Sequence, residues 1–357
     1  MRDVRVGIAV FLASILFTPA HRGIAANLDL SACSSDRQAP FLESILALSY
    51  PAGRDRDGRA VDTAGVEKEI DRLAARLRPL VEDRTDPRRV VSVLNRFLYE
   101  EEGFGYDPAP ANTENYLPDR VLARKRGNCL GLTVLSLALA ERLGLPLRGA
   151  YLPSHCFLRY EDGQARINIE TAEKGAEWPD ARYARTFGVT GDRPYLRSLG
   201  NEEMIGVYLK SLGAARSREG REEEALALYG IASHCAPGLP DVPYNAGISY
   251  QKMGMPDEAI ALYGKALSLD PELAAARDNL GVALARQGRY LEALEEVRKA
   301  VTLDPRNLSS RGNLAATFCA CGMTDEGIRE FEKVLEADPG NKRALDGLAR
   351  ARRLLIP

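Results

Sequence analysis

Arg126-Gly127-Asn128-Cys129-Leu130-Gly131-Leu132-Thr133-Val134-Leu135-Ser136-Leu137-Ala138-Leu139-Ala140-Glu141-Arg142-Leu143 is the stretch on which the reading of the first domain turns. From Cys129 onward it is almost unbroken apolar sequence, and Gly144 with Pro146 just beyond supplies an ordinary helix stop. A helix apolar nearly all round is a buried one, so 129–143 is expected to be the central helix of its domain. Its first residue is a cysteine. A helix start offers unpaired N–H groups and positive potential. A free thiol of pKa about 8.5 is lowered there, or beside a histidine.

Outward from this helix come three strand-like runs, 147–152, 156–161 and 165–171, with Asp162-Gly163 as a hairpin signal. His155, in Pro153-Ser154-His155, falls 26 residues after Cys129. A two-residue turn at Asp162-Gly163 predicts Glu161 opposite Gln164, Phe157 opposite Asn168 and His155 opposite Glu170. His155, Asn168 and Glu170 then share one sheet face, while Cys156, Leu158, Ile167 and Ile169 turn toward the core. This is a cysteine-nucleophile pattern: Cys129 attacks, His155 moves the proton, and Asn168 or Glu170 holds the ring. The same N–H groups at the helix start, including that of Cys129, would stabilise an oxyanion. A cysteine in an apolar helix is commonly only a small core residue, and a lone histidine is often structural. The combination of the two at a helix start and a strand start is what makes the site a candidate.

Before the helix, 64–82 and 86–101 read as amphipathic helices, the second opened by Asp86-Pro87. Residues 104–115 read as a loop and 116–125 as a short helix. The polar region 172–202, which holds the only tryptophan, Trp178, is expected to be irregular.

The C-terminal part is periodic. Pro237, Pro271, Pro305 and Pro339 recur every 34 residues, as do Gly220, Gly254, Gly288 and Gly322. Ala225, Ala259, Ala293 and Gly327 hold a small position, and Tyr229, Tyr263, Val297 and Phe331 a bulky one. A 34-residue period with these marks resembles the tetratricopeptide repeat. Four repeats are expected, 206–239, 240–273, 274–307 and 308–341, with 342–355 as a capping helix. Asn245, Asn279 and Asn313 recur on the first helix of successive repeats, while the first repeat has Ser211. An asparagine amide both donates and accepts, so a ladder of them matches a peptide backbone; helix packing is the equal alternative.

Arg-Gly-Asn-Cys, a helix, then Leu-Pro-Ser-His-x-Phe-x-Arg-Tyr and Ile-Asn-Ile-Glu-Thr resembles the transglutaminase-like domain of the papain superfamily, and within it the bacterial branch followed by tetratricopeptide repeats. That resemblance implies an α+β core with the nucleophile on a central helix packed on an antiparallel sheet, and a cysteine, histidine, aspartate triad. Cys129 and His155 match it. The aspartate position falls on Asn168, which orients an imidazole without charge, so Glu170 would supply the charge. The branch also holds members that lack the cysteine.

Composition narrows the partners. Apolar content is 45%, charged content 27% and net charge −2, which gives no sign of nucleic acid as a partner. The six cysteines show no zinc spacing and do not read as a disulfide framework. No cofactor or metal is expected. Arg2 and Arg5, the apolar run 6–17 and the small residues at Thr18-Pro19-Ala20 and Ala25-Ala26 read as an export signal, which places the mature chain in the periplasm. Leu30-Ser31-Ala32-Cys33 resembles a lipoprotein cleavage box, so membrane association would follow only if Cys33 were lipidated.

The expected organisation is a signal peptide over 1–26, an α+β transglutaminase-like domain over 36–200 and an all-α repeat superhelix over 203–355. Two functions stand open. One is a cysteine-dependent acyl-transfer enzyme, a peptidase, amidase or transglutaminase-like crosslinker, whose repeats recruit a protein or peptide. The other is a non-catalytic adaptor built on a degenerate transglutaminase-like domain.

Overall fold

The computed structural model describes residues 40–55, 57–109, 113–189 and 193–355. The expected export signal and Cys33 lie outside the described residues. The chain divides into two compact units, one ending at Leu239 and one beginning at Pro240.

In the first unit, helix α1 (Phe41–Ser49) buries Phe41, Leu42, Ile45, Leu46 and Leu48. It starts on the end of the central helix, where both carboxylate oxygens of Glu141 accept from the Phe41 N–H at 2.9 Å. Helix α2 (Thr63–Leu77) is capped by Asp62, which accepts from Gly65 N–H, and buries Val66, Ile70, Leu73, Ala74 and Leu77 as one stripe. Helix α3 (Pro87–Asn95) opens with Asp86 as cap and Pro87 in the first turn, then continues as a wider turn over Arg96–Glu101. Strand β1 (Gly105–Tyr106), helix α4 (Pro118–Arg124) and strand β2 (Arg126–Gly127) follow, with β1 and β2 paired in parallel. Helix α5 (Cys129–Leu143) is the central helix, buried along nearly its whole length and ended by Gly144 at φ 61°. That left-handed residue is where a glycine stops a helix at least cost.

Strands β3 (Leu147–Leu152), β4 (His155–Glu161) and β5 (Arg166–Ile169) form an antiparallel meander. The sheet order is β5-β4-β3-β6. The stretch expected to be irregular instead contains helix α6 (Asp180–Phe187) and strand β6 (Ser198–Leu199), which pairs with β3. Cys156, on β4, faces α5, with its Sγ 3.9 Å from Thr133 Oγ1. On the other face, Phe157 stacks on Tyr183 of α6 at 3.9 Å. The sheet is therefore a middle layer between α5 and α6.

The hairpin register differs from the sequence expectation by two residues. Glu161 pairs with Arg166, Arg159 with Asn168 and Leu158 with Ile169. The connection is a four-residue loop because the Asp162 carboxylate accepts from the N–H groups of both Gln164 and Ala165, at 2.9 and 2.8 Å. An even shift leaves every side chain on its expected face and moves only the partners.

Helices α7 (Asn201–Arg218) and α8 (Glu222–Cys235) are the first repeat pair, and they belong to the first unit. Gly149 of β3 lets α7 approach: a Cβ there would lie 2.2 Å from Met204 Sδ. Tyr208 and Ser49 share a hydrogen bond of 2.6 Å, and Lys210 donates to Tyr151 at 3.0 Å. Cys235 is disulfide-bonded, contrary to the expectation that the cysteines form no disulfide framework.

The second unit is all helical: α9 (Asp241–Lys252), α10 (Pro256–Leu269), α11 (Ala274–Arg286), α12 (Tyr290–Leu303), α13 (Leu308–Ala320), α14 (Thr324–Ala337) and α15 (Lys342–Leu354). Three antiparallel pairs are followed by the closing helix, as the period predicts. Gly254, Gly288 and Gly322 turn each pair at φ 76° to 79°. Close approach within a pair also needs small residues: a Cβ on Gly281 would sit 2.3 Å from Val297. Phe331, Val334, Ala344 and Leu348 form the core that α15 closes.

Candidate active site

The first turn of α5 is fixed from outside. Asn128 caps it, its Oδ1 accepting from Gly131 N–H at 2.9 Å, while its own N–H donates to the Asn115 carbonyl at 2.8 Å. Gly131 has no room for a side chain, since a Cβ would lie 2.2 Å from that carbonyl oxygen. Asn115 is itself fully buried and accepts from Arg124 at 2.9 Å. Thr171 donates to the Cys129 carbonyl at 3.4 Å. With the Gly131 and Leu132 N–H groups engaged by Asn128, those of Cys129 and Leu130 head the helix ahead of its ladder.

Cys129 is a free, half-buried thiol. Cys156 and the His155 ring are the neighbours that act on the ionisation of its sulfur. His155 Nε2 sits 2.8 Å from Glu170 Oε2, with the histidine side chain 10% exposed and the carboxylate 2%. The other Glu170 oxygen accepts from Ala172 N–H at 2.8 Å, capping the turn Thr171–Glu173 and locking the carboxylate's orientation. With Nε2 taken by Glu170, Nδ1 is the ring nitrogen left for the thiol. The ring stacks on half-buried Phe187 at 4.6 Å and 11°.

The electrostatics follow from these contacts. The Cys129 thiol is held well below its ordinary range, first by the Cys156 thiol hydrogen-bonding to it and then by His155, against the opposing effect of burial. Burial pulls His155 down, but Cys129 and Glu170 outweigh it and raise its pKa to about 9. Cys156 is pushed well above its ordinary range by the adjacent Cys129 sulfur and by burial. The two shifts run in the direction that favours a Cys129 thiolate beside a His155 imidazolium.

Two aromatic residues flank the site. Tyr106, 40% exposed on β1, is raised by burial and next by the charge of Cys129. Tyr183 buries its hydroxyl without a hydrogen bond of ordinary geometry. Burial and then the charge of Glu170 push its phenol upward. Neither residue carried a sequence signal, nor did Cys156 and Phe187, since their importance comes from packing across elements.

Of the residues expected at the site, Cys129, His155 and Glu170 come together and Asn168 does not. Asn168 Oδ1 accepts from Arg159 Nε at 2.7 Å, and its Nδ2 donates to Trp178 O at 2.8 Å and Asp180 Oδ1 at 2.6 Å. The two-residue register shift carries it away from the ring. It is part of the shell that satisfies the fully buried Arg159, which also donates to Asp180 and to the Leu196 carbonyl, both at 2.8 Å. In the repeats, Asn245, Asn279 and Asn313 sit at matching half-buried places on α9, α11 and α13. Asn279 donates to Tyr244 at 3.3 Å; Asn313 donates to Asp278 at 3.0 Å and accepts from Arg343 at 3.3 Å.

Comparison with known proteins agrees with this division. A model of the transglutaminase-like superfamily matches residues 64–195, and tetratricopeptide-repeat models match 244–307 and 284–351. A UPF0162 protein of Vibrio cholerae serotype O1 is 30% identical over 234 residues, spanning 63% of this chain and 84% of that protein. A UPF0162 protein of Xylella fastidiosa is 22% identical over 233 residues, spanning 61% and 79%. Among solved structures, MamA is 22% identical with a TM-score of 0.39, covering 42% of this chain and 81% of its own. YrrB, described as a repeat protein with an unusual peptide-binding site, is 26% identical with a TM-score of 0.38, covering 42% and 77%. The chain belongs to the UPF0162 family, bacterial proteins in which it joins a transglutaminase-like domain to C-terminal tetratricopeptide repeats.

Proposed function

We propose that the protein is a cysteine-dependent acyl-transfer enzyme acting on protein or peptide amides. The observation that carries this reading is the His155 ring held between the Cys129 sulfur and Glu170, with Nε2 at 2.8 Å from the carboxylate. Cys129 thiolate attacks the amide carbonyl carbon, and the oxygen takes the charge at the N–H groups of Cys129 and Leu130. His155 gives its proton to the departing amine, leaving a thioester. Water, losing its proton to His155, then attacks the thioester carbon and releases the acid and the thiolate. With an amine in place of water the product is a crosslink.

The repeats serve this reading as the recruiting part, since stacked helical pairs present a groove suited to an extended peptide. Asn245, Asn279 and Asn313 are the proposed backbone contacts. The reading includes export through residues 1–26 to the periplasm, supported by the basic start and the apolar run 6–17. Mass measurement of the mature N-terminus tests that part.

Thiol reactivity tests the site. Iodoacetamide should alkylate Cys129 below pH 7 at least about 10-fold faster than a simple thiol, because the fraction of thiolate sets the rate. His155→Ala should slow it by a similar factor. Labelling no faster than glutathione at every pH would leave a scaffold whose first domain does no chemistry.

A further inference from the structure

We propose that Cys129 and Cys156 form a redox pair: a peroxide oxidises the Cys129 sulfur, and Cys156 closes it into an intramolecular disulfide that blocks the nucleophile reversibly. The inference rests on the reading of Cys129 as nucleophile for its consequence, not for its chemistry.

The geometry is set by two elements. Alternation along β4 turns His155 and Cys156 to opposite faces, so Cys156 meets α5. Its sulfur lies 3.9 Å from Thr133 Oγ1. Thr133 is four residues on from Cys129 and so shares its face of the helix. Cys129 therefore stands on the same side of α5 as Thr133, next to Cys156, and each of the two thiols shifts the other's ionisation. Both are free thiols, Cys129 partly buried and Cys156 2% exposed. An attackable sulfur backed by a protected one is the arrangement of a reactive and a resolving cysteine. Acyl transfer uses only the first, and an alanine would fill the strand position of the second as packing.

The chemistry balances with a peroxide as the one added reagent. Cys129 thiolate attacks the peroxide oxygen; the S–O bond forms as the O–O bond breaks, and the departing alkoxide or hydroxide takes the His155 proton to leave as an alcohol or water. The sulfur, oxidised by two electrons, is now a sulfenic acid. The Cys156 sulfur attacks it, the S–S bond forms, and hydroxide departs with the Cys156 proton as water. A thiol reductant returns both cysteines.

Peptide mapping of the full-length protein after hydrogen peroxide reads the step directly. Wild type should yield a crosslinked peptide joining residues 129 and 156, with iodoacetamide labelling of Cys129 lost at least 10-fold and restored by dithiothreitol. Cys156→Ser and Cys156→Ala should instead trap a dimedone-reactive Cys129 and proceed to the sulfinic acid, which dithiothreitol does not reverse. Wild type carrying oxidised Cys129 with no 129–156 crosslink overturns the pair, and that result needs neither variant to fold. A chain that forms the crosslink but transfers no acyl group overturns the proposed function alone.

Discussion

At the scale of single residues, the site separates two polar side chains that the sequence placed together. Asn168 lies on β5 and Glu170 just beyond its end, two residues on, yet only Glu170 reaches the histidine. Replacing Glu170 by Gln keeps the hydrogen-bonding shape and removes the charge. The sign follows from the proton on His155: the leaving amine needs the imidazolium, which persists until the pH passes about 9. Without the carboxylate the proton is lost at lower pH, so the alkaline limb of kcat/KM should move down, with a fall of about 10-fold or more at pH 8. The acid limb, set by the depressed Cys129 thiol, should move little. Asn168→Ala should do the opposite. It strips partners from a fully buried guanidinium, at a cost of about 1–3 kcal/mol, and lowers the melting temperature while Cys129 alkylation at pH 7 holds its rate. A normal melt with lost reactivity would return Asn168 to the catalytic group. The face was legible from alternation; the partner was not, because Asp162-Gly163 reads as a two-residue turn and only the Asp162 carboxylate, closing on two N–H groups, makes it four.

At the scale of elements, the placement of the Cys129 thiol depends on how tightly the start of α5 is gripped. Asn128 caps it and the Asn115 carbonyl passes over Gly131. Gly131→Ala would bring a methyl to 2.2 Å of that oxygen, so either the loop or the helix start must move. Overpacking of this kind costs about 1–3 kcal/mol. Thermal denaturation should record that loss, and alkylation of Cys129 should slow because its N–H donors shift with the first turn. Alanine at 131 with unchanged reactivity would mean that the grip is irrelevant to the thiol. The bounds of α5 were readable from its apolar run, its asparagine cap and Gly144. Helix α6 was not readable. It has eight residues, of which Tyr183 alone is buried, and its reason for existing is tertiary. Asp180 meets Arg159, Tyr183 covers Phe157, and Phe187 backs the His155 ring.

At the scale of the whole molecule, the 34-residue period announced the repeats but not where one compact unit ends and the next begins. Periodicity records how the two helices of a repeat pack on each other; it is silent about what covers the other side of the first helix. In α7 the residues Met204, Tyr208 and Leu209 are all 0% exposed, and α7 packs over β3 and α1. The continuous run Met204-Ile205-Gly206-Val207-Tyr208-Leu209, apolar on two faces, was the available signal. Burying those three large side chains is worth about 1.5–3 kcal/mol each, comparable in sum to the whole stability of a typical domain, about 5–15 kcal/mol. A chain ending at Leu239 should therefore melt cooperatively and alkylate at Cys129 as fast as the full protein. A chain ending at Gly200 should not, because α1 and β3 lose the helix that covers them. Matching melts and labelling rates for the two truncations would show that α7 is only a repeat helix and that the candidate site folds without it.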